Sequence, residues 1–158
     1  MIVVADTTPI NYLIVIGYID ILESLYGSVV IPPAVQDEML DPLAPASVRS
    51  WISNPPHWLE VCTPSRLNSP LSPNLDDGER EAISLAQQYG ARVLLIDEIL
   101  GRREAQHLGI KVIGTVGILK EAHECGLLDF QEAVVRLQST SFQIAASILK
   151  SVSDSLKS

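Results

Sequence analysis

The chain has 158 residues, of which 47% are hydrophobic and 19% charged; this suits one domain with a real core and argues against intrinsic disorder. The formal net charge of −8 argues against a protein that binds nucleic acid through a general basic surface. It does not exclude a nuclease, because a bound metal ion can reverse the local sign of an acidic site. No apolar run could span a bilayer and no basic signal-peptide region opens the chain, so we expect a soluble cytoplasmic protein.

Predicted strands and helices alternate along the chain. Continuous apolar runs rich in β-branched residues are typical of parallel strands buried on both faces. Such runs predict strands at residues 2–5, 29–31, 93–96 and 111–113. Apolar residues at helical spacing predict helices at residues 10–26, interrupted at Gly17, and at 33–40, 77–89 and 100–108. This alternation predicts an α/β fold, a three-layer α/β/α sandwich with a mainly parallel central sheet and right-handed crossovers.

The ends of these elements carry signals of their own. Pro33 suits the first turn of a helix, and Gly90 and Gly109 follow predicted helices as C-cap glycines do. The segment 63–77 holds three prolines among serines and asparagines, which predicts an exposed loop within the domain. From residue 115 onward the pattern predicts a helical C-terminal part, with one apolar stripe formed by Phe142, Ala145, Ala146, Leu149 and Val152. We therefore expect residues 1–158 to form a single domain.

Two aspartates directly follow predicted strands: Asp6 follows residues 2–5, and Asp97 follows residues 93–96. The carboxyl ends of parallel strands frame the binding crevice of an open sheet, and neighbouring strands lie roughly 4.8 Å apart. The two acids meet if their strands are neighbours. The alternative is that each aspartate is only the N-cap of the helix that follows it. The occurrence of both acids at strand ends favours a functional site.

Glu79 lies at the head of a helical stripe that also contains Ala82, Ile83 and Ala86. A carboxylate on an apolar face is costly unless something pairs with it, which suits a residue of a functional site. Asp76 and Glu79 also have the spacing of a capping box, in which both side chains satisfy backbone N–H groups. The spacing leaves both interpretations open.

Three further polar residues stand close to these positions in the sequence. Glu38 borders the apolar face of the helix at 33–40 and, taken alone, is typical of a surface residue. Glu98 follows Asp97 as either a surface acid or an additional ligand. Arg102 either pairs with an acid or faces a phosphate.

Several acids in one pocket point to a hard metal ion. Clustered carboxylates repel each other, and a divalent cation removes that cost. Mg²⁺ and Mn²⁺ prefer oxygen ligands and keep several waters, which a hydrolase uses as nucleophiles. His57, His107 and His123 occur singly and in no zinc-binding pattern. The acids therefore favour Mg²⁺ or Mn²⁺ over zinc.

Several blocks of the sequence resemble the PIN-domain family of ribonucleases. The blocks are VVADTTPINYL, IPPAVQDEML, DDGEREAISLAQQYGARVLLIDEILGRREAQHLGIKVIGTVGIL and the helical tail. Together they run from about residue 2 to residue 149, and they look most like a prokaryotic branch described only as a domain of unknown function. The resemblance implies a PIN-like fold and a metal-dependent endoribonuclease. Many members of the family are toxins of toxin–antitoxin pairs and form dimers.

The resemblance also implies roles for individual residues. An acidic quartet would bind one or two Mg²⁺ or Mn²⁺ ions and carry catalysis: Asp6, Glu38, Glu79 and Asp97. Glu98 would be an additional ligand, and many relatives have aspartate where Glu79 stands. Thr8, favoured over Thr7, would be the hydroxyl residue beside the first acid, and Arg102 matches an arginine common in this branch. The implied reaction is attack of an activated water on an RNA phosphodiester, leaving a 5′-phosphate and a 3′-hydroxyl.

Two alternatives remain open. A PIN-like module could bind a protein or RNA without cutting it, although the presence of all four acids argues against this. A haloacid-dehalogenase-like phosphatase would need a second aspartate two residues after Asp6, where Thr8 stands. The expected partners are an RNA substrate, a cognate antitoxin protein and a second copy in a homodimer, with no membrane.

Overall fold

The computed structural model describes residues 2–65, 71–144 and 146–156. The strands of the described residues are β1 (Val3–Ala5), β2 (Val29–Ile31), β3 (Leu59–Val61), β4 (Val93–Leu95) and β5 (Val112–Ile113). The helices of the same residues are α1 (Thr7–Val15), α2 (Ile21–Tyr26), α3 (Pro33–Leu40), α4 (Ala46–Ser53), α5 (Asp77–Tyr89), α6 (Ile99–His107), α7 (Thr115–Glu124), α8 (Phe130–Gln138) and α9 (Ala146–Leu156).

The strands form one sheet in the order β3-β2-β1-β4-β5, and every neighbouring pair described is parallel. The central strand β1 aligns with β4, so that Ala5 lies opposite Leu95. From β1 the chain moves outward through β2 and β3 on one side, and later through β4 and β5 on the other. The strand order therefore reverses between β1 and β4, and the crevice above such a reversal is where open α/β sheets bind ligands.

Helices cover both faces of the sheet. Val3 and Ala5 pack in a core that includes residues of α1, α7 and α8, whereas Val4 packs with Ile83 of α5 in a second core. Both faces of the central strands are buried, which is why these strands are continuous apolar runs in the sequence. The predicted three-layer α/β/α sandwich with a parallel sheet is confirmed.

Most predicted elements are present with nearly the predicted ends. The four predicted strands and the helices at 33–40 and 77–89 agree to within one residue. The helix predicted at 10–26 is two helices, because Gly17 adopts a φ of 83° between them. The helix predicted at 100–108 lies one residue earlier.

Two elements were not predicted from the sequence. The strand β3 lies at the edge of the sheet, and only Leu59 in it is buried. An edge strand of this kind lacks the continuous apolar run of a central strand. The helix α4 is one short amphipathic stretch with Val48 and Ile52 buried, within a segment for which we predicted no element.

The loop at 63–77 includes residues 66–70, which lie outside the described residues. In its described part Thr63 and Ser65 are exposed, but Leu75 is buried and packs with α5 residues in the second core. The loop is therefore anchored to the domain at its C-terminal end.

The predicted apolar stripe of the tail is helical only in part. The helix α9 begins at Ala146, so Phe142 precedes it and packs edge-on against Tyr12 with ring centroids 4.9 Å apart. Ala145 lies outside the described residues, whereas Leu149 and Val152 pack against the first core. No described helix is long and apolar enough to cross a membrane.

Candidate active site

Asp6 and Asp97 lie at the point where the strand order reverses. Asp6 follows β1, and its backbone N–H donates to the carbonyl of Leu95 in β4 at 2.9 Å. Asp97 follows β4 after Ile96, and its charge is close enough to raise the pKa of Asp6. The two acids are therefore brought together by the pairing of β1 with β4, because parallel neighbours end at the same edge.

Glu38 reaches the same crevice from α3, the helix that follows β2. The meeting point is Gly78 in the first turn of α5. A methyl group on Gly78 would collide with Oε1 of Glu38 and would lie 3.4 Å from Oδ1 of Asp6. The carboxylates of Asp6 and Glu38 thus flank one backbone position, and a residue without a side chain there leaves room for both.

Glu79 combines the two roles that its sequence position left open. The side chain of Asp76 is the N-cap of α5 and accepts the backbone N–H of Glu79 at 2.7 Å, as in a capping box. The Glu79 side chain is nevertheless buried, with 7% of its surface exposed, and Oε2 faces Gly101 of α6. The carboxyl of Glu79 is also near enough to Asp6 for the two charges to repel.

Asp97 is held by the start of α7. Its Oδ1 accepts the backbone N–H of Thr115 at 2.8 Å, and its Oδ2 accepts the Thr115 hydroxyl at 2.6 Å. Thr115 is fully buried, so this two-point contact fixes the plane of the carboxylate. A methyl group on Gly114 would come within 2.7 Å of both Oδ1 of Asp97 and Nη1 of Arg102. The acid and the arginine therefore close around this glycine.

The acids hold their protons more tightly than carboxylates in water. Burial raises the pKa of Asp6 from its ordinary 3.8 to about 7, and repulsion from Asp76, Glu38 and Asp97 adds to the rise. Burial also raises the pKa of Glu79, with further contributions from Asp76 and Asp6. The pKa values of Glu38 and Asp97 are raised chiefly by desolvation. Among the described residues, no salt bridge reaches any of these four acids.

The remaining predicted residues occupy different parts of the crevice. Thr7 is buried and its hydroxyl lowers the pKa of Glu38, whereas Thr8 lines two cavities, one of which is also lined by Asp97. Glu98 is exposed and caps α6 by accepting the backbone N–H of Leu100 at 3.0 Å. Arg102 donates from Nη1 to the carbonyl of Ile96 at 3.2 Å, and its charge lowers the pKa of Asp97.

Four residues of the site were not singled out for it from the sequence: Gly78, Gly114, Thr115 and Asp76. The two glycines have no functional side chain, so their role in the site is recognised only from the side chains that approach them in the structure. Thr115 did have a signal, because Gly114-Thr115 follows β5 much as Asp6-Thr7 follows β1. Asp76 was interpreted only as a helix cap, yet its charge raises the pKa of Asp6, Glu38 and Glu79.

Comparison with known proteins identifies the family and the fold. The sequence model of the family described as PIN domain matches residues 2–158. The chain belongs to the PIN-domain family. A similar solved structure is a PilT N-terminus domain protein from the hyperthermophilic archaeon Sulfolobus solfataricus P2, with a TM-score of 0.53 and 16% sequence identity. That match covers 92% of this chain and 100% of the archaeal chain, and at this identity it shows the fold alone. No curated protein matches.

PIN domains commonly have nuclease activity and generally use divalent metals. The acids of this PIN domain fit such an ion in donor type, because carboxylate oxygens are the ligands that Mg²⁺ and Mn²⁺ prefer. They also fit in charge, because the repulsion that raises the pKa of Asp6 would be relieved by a cation. In the described residues, no three carboxylate, histidine or cysteine side chains stand close enough together to form a finished ligand set. The described residues thus bring acids close to one another without forming a complete set of metal ligands.

Proposed function

We propose that this PIN domain is a divalent-metal-dependent endoribonuclease whose catalytic crevice is formed by Asp6, Glu38, Glu79 and Asp97. The observation that carries the proposal is the gathering of four acids where the strand order reverses, none of them in a salt bridge among the described residues. Asp6 is 5% exposed, and the charges of Asp76, Glu38 and Asp97 raise its pKa further. Burying like charges destabilises a fold, and a cation that binds among them would remove that cost.

Asp6 and Glu38 would be the principal ligands of Mg²⁺ or Mn²⁺, joined by Asp97 and, through its longer side chain, by Glu79. Such an ion, when bound, would neutralise the acids and lower the pKa of a coordinated water. Other residues of the chain position these carboxylates. Thr115 fixes the Asp97 carboxylate through two hydrogen bonds, and Gly78 lets Asp6 and Glu38 approach each other.

The proposed reaction adds water across an RNA phosphodiester. The P–O3′ bond breaks, the phosphate stays on the 5′ side of the downstream product, and the upstream product keeps a 3′-hydroxyl. Arg102 stands beside Asp97, where its guanidinium can face a phosphate oxygen. Thr8 lies in the lining of the cavity that Asp97 also lines.

The test compares the wild type with Asp6→Asn and Asp97→Asn on a labelled RNA, with MnCl₂, MgCl₂ or EDTA. We expect cleavage by the wild type only with a divalent ion, and a fall of about 10²-fold or more in each variant. Val135→Ser, an exposed change on α8, is the purification control for contaminating nuclease. Equal cleavage by wild type and Asp6→Asn in clean preparations contradicts the proposal.

The unfinished ligand set gives a second candidate function, a PIN module that binds a partner without cutting. If the wild type neither binds Mn²⁺ in a calorimetric titration nor cleaves RNA, this second function replaces the first. A toxin role, a cognate antitoxin and a homodimer stay predictions from the family resemblance. Growth arrest on expression of the wild type, absent for Asp6→Asn, would support the toxin role.

A further inference from the structure

A cavity of about 790 Å³ opens directly beside the proposed catalytic crevice. Thr8 and Asp97 belong to its lining, so it is continuous with the acids rather than separate from them. Its walls come from the start of α6, from β5 and α7, and from the chain that leads into α9. A volume of this size suits a small organic group rather than a folded partner.

Much of the cavity lining is apolar and includes Ile99, Val116, Ile144, Ile148 and Val152. Ile99 and Ile148 are 66% and 54% exposed, although they come from different elements and face the same space. Apolar side chains that surround an open cavity favour an uncharged occupant.

Another part of the lining is charged. Asp97 and Glu98 contribute carboxylates, beside the single guanidinium of Arg102. The apolar part offers a phosphate no donor, so we expect the RNA backbone at the crevice, where a divalent ion would neutralise the acids. A nucleobase is uncharged and planar, and it is joined to that backbone by one sugar. Apolar side chains bind such bases when they are turned out of a stack.

We propose that this cavity binds the nucleobase of a single-stranded RNA nucleotide next to the phosphate at the acids. The inference rests on the proposed function for its substrate, and it adds the part of the chain that reads that substrate. The segment leading into α9 then forms one wall of the RNA-binding site. Duplex RNA is excluded, because its bases are paired and stacked.

The test measures binding of adenosine 5′-monophosphate and of ribose 5-phosphate by calorimetry with MnCl₂ present. We expect the wild type to bind the nucleotide about tenfold more tightly, which corresponds to about 1.4 kcal/mol from contacts with the base. Ile148→Ser should reduce that ratio to about twofold or less. The matched control is Val135→Ser, another exposed β-branched residue on a helix, outside the cavity lining, which should keep the full ratio.

The outcomes separate this inference from the proposed function. Equal binding of the two ligands by the wild type, or an unchanged ratio in Ile148→Ser, overturns the nucleobase site even if RNA is cleaved. Base-dependent binding without any RNA cleavage overturns the proposed function alone. A wild-type dimer that Ile148→Ser converts to a monomer in light scattering would make a second copy the occupant, and would also overturn the nucleobase site.

Discussion

Gly78 shows how a residue without functional groups decides the geometry of this site. It lies in the first turn of α5, where Oε1 of Glu38 and Oδ1 of Asp6 approach it from two other elements. A side chain at this position occupies the space between the two acids. Gly78 therefore contributes to the site only by leaving space in which the carboxylates of Glu38 and Asp6 approach each other.

We expect Gly78→Ala to lower RNA cleavage by about tenfold or more while leaving the fold intact. The new methyl group displaces Glu38, whose exposed side chain can swing towards solvent at little cost. Cleavage kinetics and a thermal melt measure the two effects. If displacement of Glu38 is the cause, Glu38→Ala is equally impaired and the double variant is no worse than either single one. Additive losses would contradict this explanation.

The raised pKa of Asp6 determines whether the free energy of unfolding rises or falls with pH. The pKa is 3.8 ordinarily and about 7 in the folded protein, so the folded state binds the proton more tightly than the unfolded one. The resulting stability is present below the lower value and is lost as the pH rises through the higher one.

In EDTA we expect Asp6→Asn to be more stable than the wild type at about pH 8, by about 2–4 kcal/mol, and to lose most of that advantage at about pH 5. Urea unfolding at both pH values measures the difference. Asp154→Asn, a change at an exposed acid of α9, should show no such dependence. A stability difference between Asp6→Asn and wild type that is the same at both pH values would contradict the assignment of the shift to Asp6.

At the scale of the elements, three of the four acids follow a strand or start a helix, whereas Glu38 lies in the last turn of α3. Asp6 and Asp97 follow β1 and β4, and the N-terminus of α7 grips Asp97 through Thr115. The helix α5 contributes Glu79 from its first turn. The C-terminal end of α5, by contrast, has no part in the proposed chemistry.

Gly90 ends α5 at the opposite end of the helix from Glu79. It has a φ of 58°, in the left-handed region, and ends the helix as predicted. Gly90→Ala should destabilise the protein by about 1 kcal/mol because a Cβ is unfavourable there. Gly90→Asn should cost less, since asparagine tolerates this conformation, and neither change should alter cleavage. A loss of cleavage that exceeds the loss of folded protein would show that α5 transmits strain to Glu79.

At the scale of the whole molecule, the charge of −8 and the crevice act together. An acidic protein repels RNA at long range, so binding depends on local neutralisation and on contacts such as the apolar cavity. A divalent ion that binds only the folded state also raises its stability.

We expect Mn²⁺ to raise the melting temperature of the wild type, by the equivalent of about 2.7 kcal/mol at a hundredfold excess over Kd. The double variant Asp6→Asn/Asp97→Asn should show no such increase, because it lacks two of the ligands. Differential scanning fluorimetry with Mn²⁺, and with K⁺ at matched ionic strength, provides the comparison. An equal increase in wild type and double variant would place the ion elsewhere.

Much of this protein could be predicted from local patterns. The buried strands appear as continuous apolar runs, and helix ends such as Gly90 follow from backbone chemistry. The edge strand β3 could not be predicted, because only Leu59 in it faces the core. Its pairing with β2 depends on contacts distant in the sequence.

For the acids of the site, too, some features could be predicted from local patterns and others could not. Local patterns suffice to place Asp6 and Asp97 at strand ends and Glu79 in the first turn of a helix. The pairing of β1 with β4, the approach of Glu38 to Asp6 at Gly78 and the orientation of Asp97 by Thr115 are visible only in the folded chain. Strand and helix signals lie within a few residues, whereas these contacts join positions far apart in the sequence, which only the order of the strands in the sheet brings together.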